Sequence, residues 1–226
     1  MMKLKWTAFV VLAGCSLIMT PLGVAKDSST TGDPERGQQL ALQGDGSGAP
    51  CLACHGAMGE GNAAAAFPRI AGLNEDYLFR TMQAYQQGTR VNPAMSMNID
   101  NFADADLRDL AAYFATLPVA ETGTEHSEVA PELLALGERL VTNGDWDAYI
   151  PPCASCHGPN NQGVDGNFPG LAGQHASYIK QQLLAWQQGQ RRSDPLQLME
   201  AVAKRLDAEQ IDAVAAYLAR QPALQQ

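Results

Sequence analysis

The chain contains the pentapeptide Cys-x-x-Cys-His twice, at residues 51–55 and 153–157. This spacing is typical of c-type haem attachment, in which two thiols bond to one porphyrin and the histidine presents its imidazole to the iron. Two copies therefore predict two covalently bound haem c groups and a protein that handles electrons. The predicted attachment residues are Cys51, Cys54, Cys153 and Cys156, and the predicted proximal iron ligands are His55 and His157.

A Cys-x-x-Cys pair alone also occurs in thioredoxin-like redox sites and in zinc sites. The thioredoxin interpretation needs a strand and helix of a parallel sheet, and the sequence has no convincing strand pattern. A zinc site usually has its second cysteine pair about 15–20 residues away, whereas Cys51 and Cys153 are 102 residues apart. Neither alternative requires the histidine that follows both pairs, so haem attachment is favoured.

Cysteine content and charge exclude several other functions. Four of the five cysteines lie in the two motifs, so only Cys15 remains, and the chain after residue 25 has none for a disulfide or for thiolate ligation. The formal net charge is −9, and after residue 25 the chain has 13 basic and 24 acidic residues. An acidic chain is repelled by the phosphates of nucleic acid, so no nucleic-acid partner is expected.

The N-terminus has the pattern of a secretory signal, with two early lysines, an apolar run over 6–19, and small residues before a cleavage point after Ala25. This agrees with the motif, because bacteria attach c-type haem outside the cytoplasmic membrane. Two alternatives remain open. Residues 12–15 resemble a lipobox in which Cys15 would be lipidated, and residues 6–25 are long enough for a retained anchor.

The two halves of the chain resemble each other well beyond the pentapeptide. Residues 67–72 match 168–173 and residues 111–114 match 215–218, with an offset that drifts from 101 to 104. Between the copies, residues 118–131 are polar and have proline at both ends, as in a linker. We therefore predict a signal peptide at 1–25, an N-terminal domain at 26–117, a linker at 118–131 and a C-terminal domain at 132–226.

Each copy shows three helical patterns, which predicts an all-α fold. In the last pattern of each copy, apolar residues recur at i, i+3, i+4 and i+7, which indicates one buried stripe. Gly37 and Gly137 in the first helices have no side chain, so Tyr113 and Tyr217 are expected to pack closely there. The predicted helices cover residues 33–43, 74–87, 104–115, 131–143, 176–188 and 208–220.

The sixth iron ligand separates electron carriers from oxygen binders and peroxidases. After its motif the second copy has one methionine, Met199, which aligns with Met95 at the offset of 104. A single methionine is more often a filler of core gaps, but two at matched positions favour ligation. We predict Met95 and Met199 as sixth ligands in loops, with Met97 as the fallback. Both irons are then closed, meaning that all six coordination positions are filled, and we therefore expect no enzymatic activity. His126 and His175 are expected at the surface rather than as ligands.

Further residues could support the haems. The second ring nitrogen of each ligand histidine is expected to donate to a backbone carbonyl near Pro68 or Pro169, which would fix the ring. Arginines could meet the haem propionates. Arg90 and Arg191 share a repeat position, so they are better candidates than Arg69.

The order and spacing of these elements resemble the dihaem cytochrome c4 family, whose members have two class I cytochrome c domains. The resemblance covers nearly everything after the leader, including residues 153–159, 167–175, 92–95 and 107–114. It implies two tandem domains related by a pseudo-twofold axis, with haem edges facing across the interface. It also implies electron delivery to terminal oxidases in the periplasm, often with peripheral membrane association. The implied iron ligands are His55, Met95, His157 and Met199.

The leading interpretation is a carrier that receives electrons from a quinol-oxidising complex or a small donor. An alternative is the dihaem subunit of a larger oxidoreductase such as a sulfide-oxidising flavocytochrome. Two enzymes are less favoured: a dihaem peroxidase needs an iron that can open, and thiosulfate dehydrogenases use a cysteine ligand that this chain lacks after residue 25. Residues 44–50 and 145–152, before the two motifs, look longer than usual for the family and could alter docking.

Overall fold

A computed structural model of the chain describes residues 31–46, 48–119, 128–194 and 196–225. The predicted signal peptide, Cys15 and His126 lie outside the described residues. In the described part, no helix is long and apolar enough to cross a membrane.

The described residues form helices and isolated bridges, so the all-α prediction is confirmed. The six long helices begin and end within one residue of the predicted patterns. The first half contains α1 (Pro34–Gln43), α2 (Cys51–His55), α3 (Glu75–Gln86), α4 (Pro93–Met97) and α5 (Asp104–Thr116). The second half contains α6 (Pro131–Thr142), α7 (Ala154–His157), a 3-10 turn (Pro159–Asn161), α8 (Ala176–Gln187), α9 (Leu198–Ala203) and α10 (Ala208–Arg220).

The predicted loops around the two methionines are wrong, because Met95 lies in α4 and Met199 lies in α9. The side chain of Asn92 caps α4 by accepting hydrogen bonds from two backbone N–H groups, including that of Met95 at 3.2 Å. The Asp194 carboxylate accepts from the backbone N–H of Met199. Helices of five and six residues are too short to show a 3.6-residue period, which is why the pattern did not reveal them.

The first and last helices of each half cross at a glycine. A Cβ atom on Gly37 would lie 1.9 Å from the carbonyl oxygen of Asp109 and 2.8 Å from the Cβ of Tyr113. A Cβ atom on Gly137 would likewise lie 2.8 Å from the Cβ of Tyr217. The predicted close packing of both tyrosines against these glycines is confirmed.

Each half has its own hydrophobic core, built largely from the predicted helical stripes. In the first half Leu107 and Leu110 are fully buried, and Cys51 and Met95 pack against the same cluster. The second half repeats this arrangement. Cys153 of its haem motif and Met199 of α9 pack at the edge of its core. In each domain, the first cysteine of the haem motif and the candidate methionine therefore pack against the same core.

The two domains are joined by hydrogen bonds between residues far apart in sequence. The buried Gln174 side chain accepts from the backbone N–H of Arg69 at 2.9 Å and donates to its carbonyl oxygen at 2.8 Å. His175 donates from Nε2 to the carbonyl oxygen of Glu60 at 2.9 Å. The predicted surface position of His175 is therefore wrong: it is half-buried between the domains, a contact for which one sequence offers no periodic signal.

A short backbone bridge also joins equivalent segments of the two copies. Arg90 and Arg191 pair in antiparallel fashion, with the N–H of Val91 donating to Gln190 at 2.8 Å and that of Arg192 donating to Thr89 at 2.6 Å. Contact between matching residues is what an approximate twofold axis between the copies produces.

We expect Gln174→Ala to lower the free energy of unfolding by about 1–3 kcal/mol, because the buried N–H and C=O of Arg69 lose their partners. Thermal unfolding of the haem-loaded protein measures this as a lower midpoint. Gln188→Ala, at an exposed glutamine of the second domain, is the control and should unfold like the unmodified protein. Equal midpoints for all three proteins would contradict the role of this amide in joining the domains.

Candidate haem sites

Each Cys-x-x-Cys-His motif forms a single helical turn that presents its histidine to the domain interior. The ring of His55 is buried, and its Nδ1 lies 3.1 Å from the carbonyl oxygen of Pro68. His157 is buried in the same way, with Nδ1 2.7 Å from the carbonyl oxygen of Pro169. A carbonyl can only accept, so Nδ1 carries the proton and Nε2 is left with a lone pair for iron. The predicted partners of both histidines are confirmed.

Burial sets the protonation of the motif side chains. It lowers the pKa of His55 and His157, an effect that their hydrogen bonds to carbonyl groups oppose. Both imidazoles are therefore neutral at neutral pH, as iron ligation requires. Burial raises the pKa of the Cys51 and Cys153 thiols to about 11. Neutral thiols agree with thioether attachment. In the part of the chain that the structure describes, no three His, Cys, Asp or Glu side chains are grouped as a zinc site needs.

The two aligned methionines occupy equivalent places at the edges of the cores. Met95 and Met199 are half-buried, and each packs against the cluster that also contacts the first cysteine of its own motif. The fallback residue Met97 is 59% exposed. The structure thus brings Met95, rather than Met97, to the core against which Cys51 also packs, while ligation of iron by either methionine stays a prediction.

Two arginines are buried between the domains. Arg90 is 2% exposed and Arg191 is 7% exposed. Arg90 donates to the hydroxyl of Tyr178 at 2.5 Å and to the side-chain oxygen of Gln182 at 2.6 Å, and Arg191 donates to the same oxygen at 3.1 Å. Among the residues that the structure describes, neither guanidinium forms an ion pair with a carboxylate.

Aromatic rings cover these arginines and leave several donors unpaired. The guanidinium of Arg90 lies 4.7 Å from the ring centre of Tyr85, and that of Arg191 lies 3.9 Å from that of Trp186. Buried N–H groups of Arg90, Arg191 and Trp186 have no hydrogen-bond partner among the residues that the structure describes. A buried cation needs a counter-charge, and the propionates of haem are anions of the right kind. The residues present therefore fit two haem groups.

Arg69 is also buried, but it serves a different purpose. Its guanidinium donates to the carbonyl oxygen of Ala71 at 2.6 Å and to that of Ala172 in the other domain at 3.3 Å. Burial lowers the pKa of Arg69 to about 10. This residue joins the backbones of the two domains, which agrees with its lower ranking as a propionate partner.

Sequence reasoning did not assign the polar and aromatic residues that surround the two buried arginines. A signal was present, because Tyr77 and Tyr178 align at the repeat offset of 101, as do Tyr85 and Trp186. Aromatic side chains at matched positions suit both a helix interior and a domain interface, and spacing alone does not separate the two. Gln182 has no aromatic or charged character that would mark it.

We expect Arg191→Met to lower the reduction potential of one haem by on the order of 50–100 mV, because loss of a buried positive charge favours the oxidised, more positive iron. The measurement is a redox titration followed by absorbance. Arg192→Met, at an exposed neighbouring arginine, should leave both potentials within a few millivolts of the unmodified values. Equal shifts in the two variants would contradict a specific role of the buried charge.

The family model for cytochrome c matches residues 34–118 and 135–221, one match for each half of the chain. Together with the two buried histidines that follow paired cysteines, this defines a protein of the c-type cytochrome class with two haem domains in tandem.

Relatives of known name make the assignment finer. The chain is 35% identical to cytochrome c4 of Pseudomonas aeruginosa, over 90% of this chain and 95% of that protein. It is 34% identical to the solved reduced cytochrome c4 of Pseudomonas stutzeri, with a TM-score of 0.73 over 84% of this chain and all of that one. The chain belongs to the dihaem cytochrome c4 family and carries two covalently attached haem c groups.

Proteins of thiosulfate oxidation are also similar to the chain. A thiosulfate dehydrogenase electron acceptor of Thiomonas intermedia is 45% identical over 77% of this chain and 79% of that protein. The solved thiosulfate dehydrogenase of Marichromatium purpuratum is 38% identical with a TM-score of 0.75, and the match spans 83% of this chain and 40% of that longer one.

Proposed function

We propose that this protein accepts electrons from a periplasmic thiosulfate dehydrogenase and passes them to a terminal oxidase. The observation that supports this donor is the 45% identity with a thiosulfate dehydrogenase electron acceptor, compared with 35% for cytochrome c4 of Pseudomonas aeruginosa. The acidic chain, with its secretory leader pattern, suits a carrier that meets its partners in the periplasm.

We further propose that both irons have one histidine and one methionine ligand. The haem groups supply reversible one-electron chemistry. The chain orients the proximal rings through the carbonyl groups of Pro68 and Pro169, and it holds Met95 and Met199 at the edges of the two cores. Saturated coordination excludes substrate from the iron, so the protein is a carrier and not an enzyme.

The domain junction supports exchange of electrons between the two halves. Gln174, His175 and Arg69 fix the domains through hydrogen bonds to backbone groups, and the bridge at Arg90 and Arg191 adds a second point of attachment. The rate of electron exchange depends steeply on the distance between the two haems. A rigid junction between the domains therefore keeps this rate from varying.

Rapid mixing with the thiosulfate dehydrogenase of the same organism tests the proposed donor. With thiosulfate present, we expect both haems to become reduced, as followed by the α-band absorbance. Thiosulfate without the dehydrogenase is the control and should reduce neither haem on the same time scale. A dehydrogenase that reduces ferricyanide but not this protein would contradict the proposed donor.

A second candidate is a carrier between a quinol-oxidising complex and a terminal oxidase, without the dehydrogenase. The match to 95% of cytochrome c4 of Pseudomonas aeruginosa favours it. Membranes that contain the quinol-oxidising complex would then reduce the protein from quinol, whereas the dehydrogenase would not. Stable co-purification with a flavoprotein would instead indicate a subunit of a larger oxidoreductase, and peroxide turnover well above background would indicate an enzyme.

A further inference from the structure

A closed loop, residues 145–150, precedes the second haem motif, and we call it the aromatic loop. Asp145 and Ile150 exchange two backbone hydrogen bonds of 2.8 Å, and the carboxylate of Asp145 accepts from the N–H of Ala148 at 3.3 Å. Ile150 is buried in the core of the second domain, and Ala148 packs against that core. Both ends of the loop are therefore fixed.

The loop presents two aromatic side chains to solvent. Trp146 is 68% exposed and Tyr149 is 77% exposed. Tyr149 has a φ of 56°, in the left-handed region that costs a residue with a Cβ about 1–2 kcal/mol. Strained residues persist where the surrounding structure holds them and often belong to functional sites. Tryptophan and tyrosine are also the side chains that most often anchor protein interfaces.

The aromatic loop lies directly before the haem motif of the second domain in the sequence. Its last residue, Ile150, is followed by two prolines and then by Cys153, a haem-attachment residue. A partner seated on the loop would therefore lie close to the haem of the second domain. The corresponding segment of the first domain, residues 44–50, contains three glycines and no aromatic residue. The feature is thus confined to one of the two haem domains.

Charge indicates what kind of partner fits. Asp147 is exposed between the two aromatic residues in the sequence, and Asp145 closes the base of the loop. The chain after residue 25 has 24 acidic and 13 basic residues. Like charge disfavours a second copy of this chain, and it also disfavours an anionic membrane surface. A complementary surface has an apolar pocket surrounded by lysine or arginine side chains.

We propose that the aromatic loop is the docking element for the electron-donating dehydrogenase, whose surface presents such a cation-rimmed apolar pocket. This rests on the proposed function, since it names the donor as the partner. Trp146 and Tyr149 enter the pocket, and Asp147 meets its cationic rim. Electrons consequently enter the protein through the second domain.

The test compares the second-order rate of reduction by the thiosulfate dehydrogenase for several haem-loaded proteins. In the variant with Trp146→Ser and Tyr149→Asn, asparagine tolerates the left-handed backbone, and we expect a rate at least about tenfold lower. Both reduction potentials and the thermal midpoint should be unchanged. Leu224→Ser, which alters an exposed apolar residue near the C-terminus, is the control and should keep the rate of the unmodified protein.

Further outcomes distinguish a failure of the proposed docking role of the loop from a failure of the proposed donor. Asp147→Asn should weaken the dependence of the rate on ionic strength. If the unmodified protein is reduced and the double variant is reduced equally fast, the docking role of the loop is wrong although the donor is right. If the unmodified protein is not reduced at all, the donor and this docking partner are both wrong. A shifted potential of the second haem with an unchanged rate would assign the loop to haem shielding instead.

Discussion

Met199→Ala should remove the near-infrared iron–thioether band of one haem and leave that of the other, so that about half of the band intensity is lost. The same haem should show a lower reduction potential, because a thioether favours Fe(II). Met199 is the only methionine of the second copy after its motif, and it packs at the edge of the second core. No neighbouring methionine in that domain is available to replace it.

The first domain supplies a matched comparison. Met95→Ala should remove the other half of the band, whereas Met97→Ala should leave the spectrum unchanged, since Met97 is largely exposed. The measurement is near-infrared absorption of the oxidised proteins. Loss of the band in the Met97 variant, with an unchanged Met95 variant, would contradict the assignment and transfer the ligand role to the fallback residue.

Gly137→Ala should destabilise the second domain by at least about 3 kcal/mol, at or above the upper end of the usual effect of overpacking. The added methyl group would lie 2.2 Å from the carbonyl oxygen of Ala213 and 2.7 Å from its carbonyl carbon. These are backbone atoms of α10, so no side-chain rotation relieves the clash and the two helices must separate. Denaturant unfolding of the haem-loaded protein measures the loss.

Gly189→Ala is the matched control for this substitution. A Cβ atom there would meet nothing within 4 Å, but the φ of 68° is unfavourable for alanine. Its expected loss is about 1–2 kcal/mol, from backbone strain alone. Equal losses in the two variants would contradict close packing of α6 on α10 as the reason for the glycine. Gly37→Ala should behave like Gly137→Ala, because its Cβ would lie 1.9 Å from the carbonyl oxygen of Asp109.

The sequence predicted the features that depend on local pattern or on repetition. Long amphipathic helices such as α5 and α10 have a clear period, and the glycines at 37 and 137 share a repeat position with a tyrosine partner. The carbonyl partners of His55 and His157 were predictable because the motif needs an oriented imidazole.

The sequence did not predict features that depend on contact between the domains. His175 looked like a surface residue, yet its ring donates to a carbonyl in the other half. The side-chain amide of Gln174 bonds to the backbone N–H and carbonyl oxygen of Arg69, and residues of many other types would present the same backbone groups. Such contacts arise only when both copies are folded and docked, so neither copy alone carries a signal for them.

A spectroelectrochemical titration of the purified protein directly tests whether the chain carries two haems whose irons each have six ligands. We expect two haems per chain, each low-spin with histidine and methionine ligands in both oxidation states, and two one-electron steps. A single haem per chain would contradict attachment at both motifs. A high-spin or bis-histidine haem would contradict the assignment of Met95 or Met199, and with it the conclusion that both irons are closed and serve only to carry electrons.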